Sequence, residues 1–213
     1  MPSHPQPPRR FMRLGIFGGS FDPIHRGHLG LAACCQQQAE LDQVWFVPAA
    51  QQPLKPAGAQ AADIHRLGML ERACGQQMAF KISDIEIHRG GISYTIDTLQ
   101  AIQADRPEVQ LFFLMGADSL TDLPNWHCPA EICQLATPLV VRRAGTREPS
   151  FDVLNEIVSK ERLAQIRDSQ VEMPATPISS SRIRDLISSG GEWQELVPPS
   201  VADYITLHGL YGA

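Results

Sequence analysis

No run in the chain is apolar for anything near the ~20 residues that a membrane-spanning helix needs, so an integral membrane protein of that kind is not expected. Basic charge is in the minority. Lys plus Arg number 18 against 23 for Asp plus Glu, and 18 − 23 = −5 with His neutral. That balance argues against a nucleic-acid binder working through a broad basic face, although a local cluster of donors would still hold one phosphate group. Cysteine is scarce and odd in number: Cys34, Cys35, Cys74, Cys128 and Cys133 repeat no short framework, which indicates a reducing compartment rather than a disulfide scaffold. The start "MPSHPQPPRRF" carries two arginines but is proline-rich and leads into no apolar segment, so it does not read as a secretion signal. Residues 1–11 are expected to be a disordered extension, residues 12–213 a single domain, and the location cytoplasmic. Two familiar phosphate loops are absent as well. Glycines at 15, 18 and 19 do not spell G-x-G-x-x-G, and no Gly-Lys-Ser/Thr follows them.

What is present is a chain of 213 residues, 43% hydrophobic and 19% charged, enough to bury a substantial core. Apolar runs predict strands at 12–17, 43–48, 109–116 and 137–143, with a further short one at 170–174, and segment 79–91 holds an extended run and then a Gly-Gly turn. "VQLFFLMG" is almost wholly apolar, as a strand covered on both faces should be. Helices are predicted over 27–40, 62–75, 93–105, 150–169, 178–190 and 198–211, and shorter helical pieces, broken at Pro124 and Pro129, before the strand at 137. Gly68 weakens the second helix. Ser93 is a candidate cap for the third, with Tyr94 and Thr95 at its threshold. Strands alternating with helices at these intervals imply an α/β architecture with a mainly parallel sheet.

Chemistry concentrates in "GIFGGSFDPIHRGHLGLA". A strand, a glycine-rich turn and a helix start is the arrangement in which backbone N–H groups and a helix dipole meet an anion. Gly18 and Gly19 leave room for a phosphate, and His25 and His28, three apart, flank the first helical turn. A metal site would need a third ligand, for which composition offers only Asp22 and the Cys34–Cys35 pair; burial in a helix face explains the cysteines better. A plain reading stays open, in which the histidines merely cap a helix. Two other features favour the anion. In "ISSSRIRDL", Ser179, Ser180 and Ser181 precede Arg182 and Arg184 at a second helix start; taken alone, a serine N-cap followed by solvent-exposed arginines explains it as well. Lys55 lies in the loop after the second strand, where such folds carry ligand contacts.

Together, "GGSFDPIHRGH", with His25-Arg26-Gly27-His28 as its centre, and "ISSSRIR" resemble the two motifs of the HxGH nucleotidyltransferase superfamily. The segments "VWFVPA", "PLKP", "HRLGML", "GGISYTIDTL", "FFLMGADSL" and "NWH" are similar to those of its bacterial nicotinate-nucleotide adenylyltransferase family. Ser20 stands where that family often has Thr, and "AAQQPLKP" departs from its usual loop around the lysine. The resemblance implies a Rossmann-like three-layer αβα sandwich and adenylyl transfer from ATP to nicotinate mononucleotide. Nicotinamide mononucleotide or phosphopantetheine as acceptor, or a non-catalytic nucleotide-binding module, are the alternatives. It implies His25, His28, Lys55 and Arg182 as catalytic groups, and Gly18, Gly19, Ser20, Phe21, Gly116, Asp118, Ile178, Ser179 and Ser180 as further ATP contacts. Tyr94, Thr95 and Trp126, with Ser20 and Lys55, would meet the mononucleotide; Trp126 could equally anchor the core, and Asp118 could cap a helix. Mg²⁺ is implied as a phosphate-bound cofactor without direct protein ligands, the partners being small nucleotides rather than nucleic acid or membrane, with a homo-oligomer left open.

Overall fold

The computed structural model describes residues 11–53 and 58–213. In chain order its elements are β1 (Met12–Gly19), α1 (Arg26–Gln38), β2 (Gln43–Pro48), α2 (Asp63–Cys74), β3 (Phe80–Ile82), α3 (Ile85–Arg89), α4 (Thr95–Asp105), β4 (Val109–Gly116), α5 (Ala117–Asp122), α6 (Pro129–Leu135), β5 (Ala136–Arg143), α7 (Lys160–Asp168), β6 (Val171–Met173), α8 (Ser180–Ser188) and α9 (Pro199–Leu207). The strands form one sheet in the order β3-β2-β1-β4-β5-β6, and every described pairing is parallel. The alternating pattern implied such a parallel sheet, and the arrangement is the Rossmann-like one that the resemblance implied.

Side chains divide between the faces by the two-residue period of a strand. Leu14 and Ile16 of β1, with Leu111, Phe113 and Met115 of β4, pack against Ile96, Leu99, Ile132 and Leu163 from α4, α6 and α7. Phe17, Phe112 and Leu114 point the other way, onto Leu31, Met69, Ile183 and Ile205 from α1, α2, α8 and α9. Because both faces are covered, the central strands read as unbroken apolar runs. Gly15 is required for contact, since a Cβ there would lie 2.7 Å from Leu41 Cδ1 and 2.9 Å from Leu114 Cδ1. Gly68, unfavourable for a helix in isolation, makes room for Tyr204 of α9: a Cβ would sit 2.6 Å from its hydroxyl. Tertiary packing therefore overrides propensity at that position.

Three predicted elements change shape. The extended run in segment 79–91 is only the three-residue β3, followed by the short helix α3. Its I-E-I alternation mimics a strand, but Gly90 and Gly91 at φ +68° turn the chain immediately afterwards. The helix expected over 150–169 is a 3-10 turn at Phe151–Leu154 and then α7, which Ser159 starts by accepting the Arg162 N–H at 3.2 Å. The last helix ends at Leu207 rather than 211, two residues before Gly209 takes a left-handed conformation.

The order of strands matters for the site. From β1 the chain builds outward through β2 and β3, then returns to place β4 on the other side of β1. The connections on the two sides of that point leave a crevice above the carboxyl ends of β1 and β4, where such sheets bind ligands. Gly19 and Gly116 end those two strands.

Candidate active site

The turn from β1 into α1 is built around a buried phenylalanine. Phe21 is non-glycine at φ +47° and only 1% exposed. Its ring sits edge-on between Phe17 (5.4 Å) and His28 (5.1 Å), with Phe46 at 5.6 Å. Such packing offsets a backbone conformation costing on the order of 1–3 kcal/mol. Phe21 thus forms the floor beneath His28, and its side chain lies in the core rather than along a ligand path. Gly19 is held to glycine by that ring, which a Cβ would meet at 3.0 Å; Gly18, by contrast, has nothing within 4 Å on its open side.

His25 is the N-cap of α1, and its Nδ1 accepts the His28 N–H at 3.3 Å. The helix-cap reading is therefore correct for one ring nitrogen. With Nδ1 accepting, a neutral ring carries its proton on Nε2. Burial, together with the charge of Arg143, lowers its pKa from 6.5 to about 4, against a smaller opposing backbone hydrogen bond. His25 is therefore a neutral donor near pH 7. The His28 ring stacks on it at 3.7 Å with 16° between planes. Gly27 permits this, because a Cβ there would touch His25 Nδ1 at 3.0 Å.

The second predicted motif docks on the first. Ser179 caps α8 by accepting the Arg182 N–H at 3.3 Å, and the Ser180 hydroxyl donates to Pro23 O at 2.9 Å. Arg184 Nη1 donates to Asp22 O at 2.7 Å and lies 3.8 Å from the Asp22 carboxylate. Of the serine hydroxyls that sequence offered to an anion, Ser179 caps its own helix, Ser181 accepts from Arg184 Nη2 at 3.4 Å, and Ser180 alone joins the two motifs. What remains is the exposed Arg182 guanidinium and the first-turn N–H groups of α8. Ile178 closes the joint, 3.7 Å from where a Gly27 Cβ would stand.

Two hubs went unrecognised in the sequence. Asp22, considered above as a metal ligand, is buried and accepts from Gln60 N (2.7 Å), Ala61 N (3.1 Å) and the Tyr211 hydroxyl (2.7 Å). Arg66 is 0% exposed and donates to Ser20 O (2.8 Å), Ala49 O (2.7 Å) and Asp63 (2.6 Å), tying together the exits of β1 and β2. Both clamp backbone across the ends of strands. The five cysteines are free, and burial pushes the Cys35, Cys74 and Cys133 thiols upward, as core residues rather than ligands. Among the described residues no group of three or more His, Cys, Asp or Glu is gathered for a metal.

A cavity of about 750 Å³ opens at the carboxyl end of β1, with Phe113 of β4 in its wall. Gly18, Gly19, Tyr94, Thr95 and Trp126 line it, and so do Glu86 and His127, which sequence had not singled out. Trp126 stands edge-on to Phe113 at 5.6 Å, so it is both a core contact and a cavity wall. Tyr94, facing His127 at 4.6 Å, is the N-cap of α4 and makes no side-chain capping bond. The Ser93 hydroxyl, the candidate cap, accepts from Ala50 N at 2.9 Å instead. Asp118 is exposed in the first turn of α5, whose N-cap is Gly116; the capping role considered for Asp118 is therefore corrected. Lys55 lies outside the described residues.

The glycine-opened turn and the helix start docked on it belong to a chain of the α/β nucleotidyltransferase class: the cytidylyltransferase-like family matches residues 16–186. Among curated relatives, a "Probable nicotinate-nucleotide adenylyltransferase" of Synechococcus sp. (strain JA-3-3Ab) is 38% identical over 98% of each chain. One of the same name from Rhodopirellula baltica is 37% identical over 93% of this chain and 92% of its own. The chain belongs to the nicotinate-nucleotide adenylyltransferase family, whose activity is adenylyl transfer in NAD biosynthesis. Among solved structures, the Plasmodium falciparum nicotinic acid mononucleotide adenylyltransferase complexed with NaAD superposes with a TM-score of 0.71 over 93% of this chain and 97% of that one. At 18% identity this likeness concerns the fold. No helix among the described residues is long and apolar enough to cross a membrane.

Proposed function

We propose that the protein transfers the adenylyl group of ATP to nicotinate mononucleotide, forming nicotinate-adenine dinucleotide and releasing pyrophosphate. One observation carries this reading: the starts of α1 and α8 are bonded to each other through Ser180 and Arg184, beside a cavity large enough for a second reactant. Two helix N-termini, a histidine pair and an arginine suit a polyphosphate. In the reaction a phosphate oxygen of the mononucleotide attacks the α-phosphorus of ATP, and the bond to the β-phosphate oxygen breaks. That oxygen is already ionised at neutral pH, so no general base and no covalent intermediate are needed. The protein's work is alignment and charge stabilisation.

Gly18, Gly19 and Ser20 line the path of the transferring phosphoryl group. His25 donates through Nε2–H without a positive charge, and His28 beside it donates as charge develops on the phosphoryl oxygens. A single such donor is worth about 2.7–4 kcal/mol, a hundred-fold or more in rate. Arg182 and the N–H groups following Ser179 and Ser180 hold the β- and γ-phosphates, next to Ile178. Gly116 and Asp118, at the end of β4, face the nucleoside. Tyr94, Thr95 and Trp126 hold the pyridine: an aromatic wall for the ring and the uncapped start of α4 for its carboxylate. Lys55 is assigned to the mononucleotide phosphate by resemblance alone. The donors around the histidines are imidazole, N–H and guanidinium rather than carboxylates, so Mg²⁺ would ride on substrate oxygens and water, neutralising phosphate charge.

The test is pyrophosphate release from ATP and Mg²⁺ with nicotinate mononucleotide, nicotinamide mononucleotide and phosphopantetheine in turn. The expected order places nicotinate mononucleotide first. Faster turnover with another acceptor overturns the substrate, and ATP binding without any turnover overturns the enzyme in favour of a binding module.

A further inference from the structure

Glu86 is a buried carboxyl on the wall of the 750 Å³ cavity, 6% exposed, and the reaction above gives it no part. Its surroundings are arranged toward it. The Thr98 hydroxyl of α4 donates to Glu86 Oε1 at 2.6 Å, and Arg89 Nη2 donates in turn to Thr98 Oγ1 at 3.1 Å. The Ser93 hydroxyl lies close enough to favour the ionised carboxylate, opposing the burial that raises its pKa. Ser93 is itself tied across the cavity: its Oγ accepts from Ala50 N at 2.9 Å and its N–H donates to Gln51 O at 2.8 Å. Ala50 and Gln51 follow β2 and lead to Gln52 and Pro53, which line the same cavity. One carboxyl therefore joins α3, the start of α4 and the loop after β2, and the residues immediately after Ser93 are Tyr94 and Thr95.

We propose that Glu86 is a positioning residue for the acceptor: through Ser93 and Thr98 it fixes the Tyr94–Thr95 helix start at the height and angle that receive the pyridine ring. The inference rests on the acceptor reading of this cavity. Glu86 touches neither the histidine pair nor α8 in any described contact, so its influence falls on one substrate and not the other. A carboxylate suits the task because it only accepts, and every neighbouring hydroxyl can point its proton inward. Glutamine keeps the shape but turns one of the two positions into a donor, leaving either Thr98 or Ser93 facing an N–H.

The experiment compares wild type, Glu86→Gln, Thr98→Val and Thr98→Ser. Initial rates are measured with ATP and nicotinate mononucleotide each varied, alongside hydrogen exchange of segment 92–98 in the ligand-free protein. Glu86→Gln and Thr98→Val should raise KM for the mononucleotide at least ten-fold, with KM for ATP within two-fold of wild type and faster exchange at 93–95. Thr98→Ser should restore both readouts. Equal changes in the two KM values, or unchanged kinetics per folded molecule with only a lower Tm, would overturn the positioning role. Wild-type protein that does not use nicotinate mononucleotide would refute the acceptor reading instead; the exchange rates of 93–95 would still decide whether Glu86 holds the segment.

Discussion

His25 joins fold and function, and its burial makes a quantitative demand on stability. Its pKa lies near 4 in the folded protein against 6.5 for a free imidazole, chiefly because burial disfavours the charged ring. A base with a lowered pKa binds fewer protons folded than unfolded, so stability is intact above pH 6.5 and falls as pH drops toward 4. At about 1.4 kcal/mol for each pH unit between the two values, the full loss is roughly 3 kcal/mol, of which about 2 kcal/mol has gone by pH 5. His25→Asn separates this loss from other titrations, because asparagine can still cap α1 by accepting the His28 N–H but does not ionise. Urea unfolding at pH 7.5 and pH 5 should show wild type losing about 2 kcal/mol more than the variant over that interval. Equal losses would mean that the imidazole is not held neutral in the core. Its role as an uncharged donor near pH 7 would fall with that result.

Other substitutions test particular joints. A Cβ at residue 18 meets nothing within 4 Å, so Gly18→Ala should keep its unfolding free energy within about 0.5 kcal/mol of wild type, while kcat/KM for ATP falls at least ten-fold because the new methyl group occupies the phosphate path. Arg66→Met leaves the Ser20 and Ala49 carbonyls without their donor, while the half-exposed Asp63 is resolvated; at about 1–3 kcal/mol for each orphaned acceptor it should cost about 2–5 kcal/mol in urea unfolding. Gly68→Ala should destabilise by about 1–3 kcal/mol despite alanine's helix preference, since its Cβ collides with Tyr204; Tyr204→Leu in the same chain should recover part of the loss.

The sequence was most legible where one local rule decides. The apolar runs of β1, β4 and β5 had to be buried strands, and alternation with helices implied the parallel sheet. The two phosphate motifs stood out because glycine, histidine and arginine cluster at helix starts. Where two rules compete, reading failed: I-E-I in α3 alternates like a strand, yet Glu86 is fixed there by Thr98 from the next helix. Long-range partners left no local trace. Asp22 meets Arg184 across 162 positions and Tyr211 across 189, and no spacing rule links them. The Ser180 hydroxyl looked like a ligand donor because its acceptor, Pro23 O, lies 157 positions away and meets it only when the two motifs fold together, whereas the Ser179 cap could be read locally.

The central claim, that the histidine pair serves the phosphates as well as the fold, is tested most directly at His28. Its ring contacts Phe21 and His25, so His28→Ala should cost some stability, and the decisive quantity is turnover per folded molecule. Pyrophosphate release from ATP and nicotinate mononucleotide, normalised to the folded fraction by circular dichroism, should fall about a hundred-fold or more, in line with the loss of one donor of about 2.7–4 kcal/mol. Unchanged turnover per folded molecule would contradict it and leave His28 a structural residue.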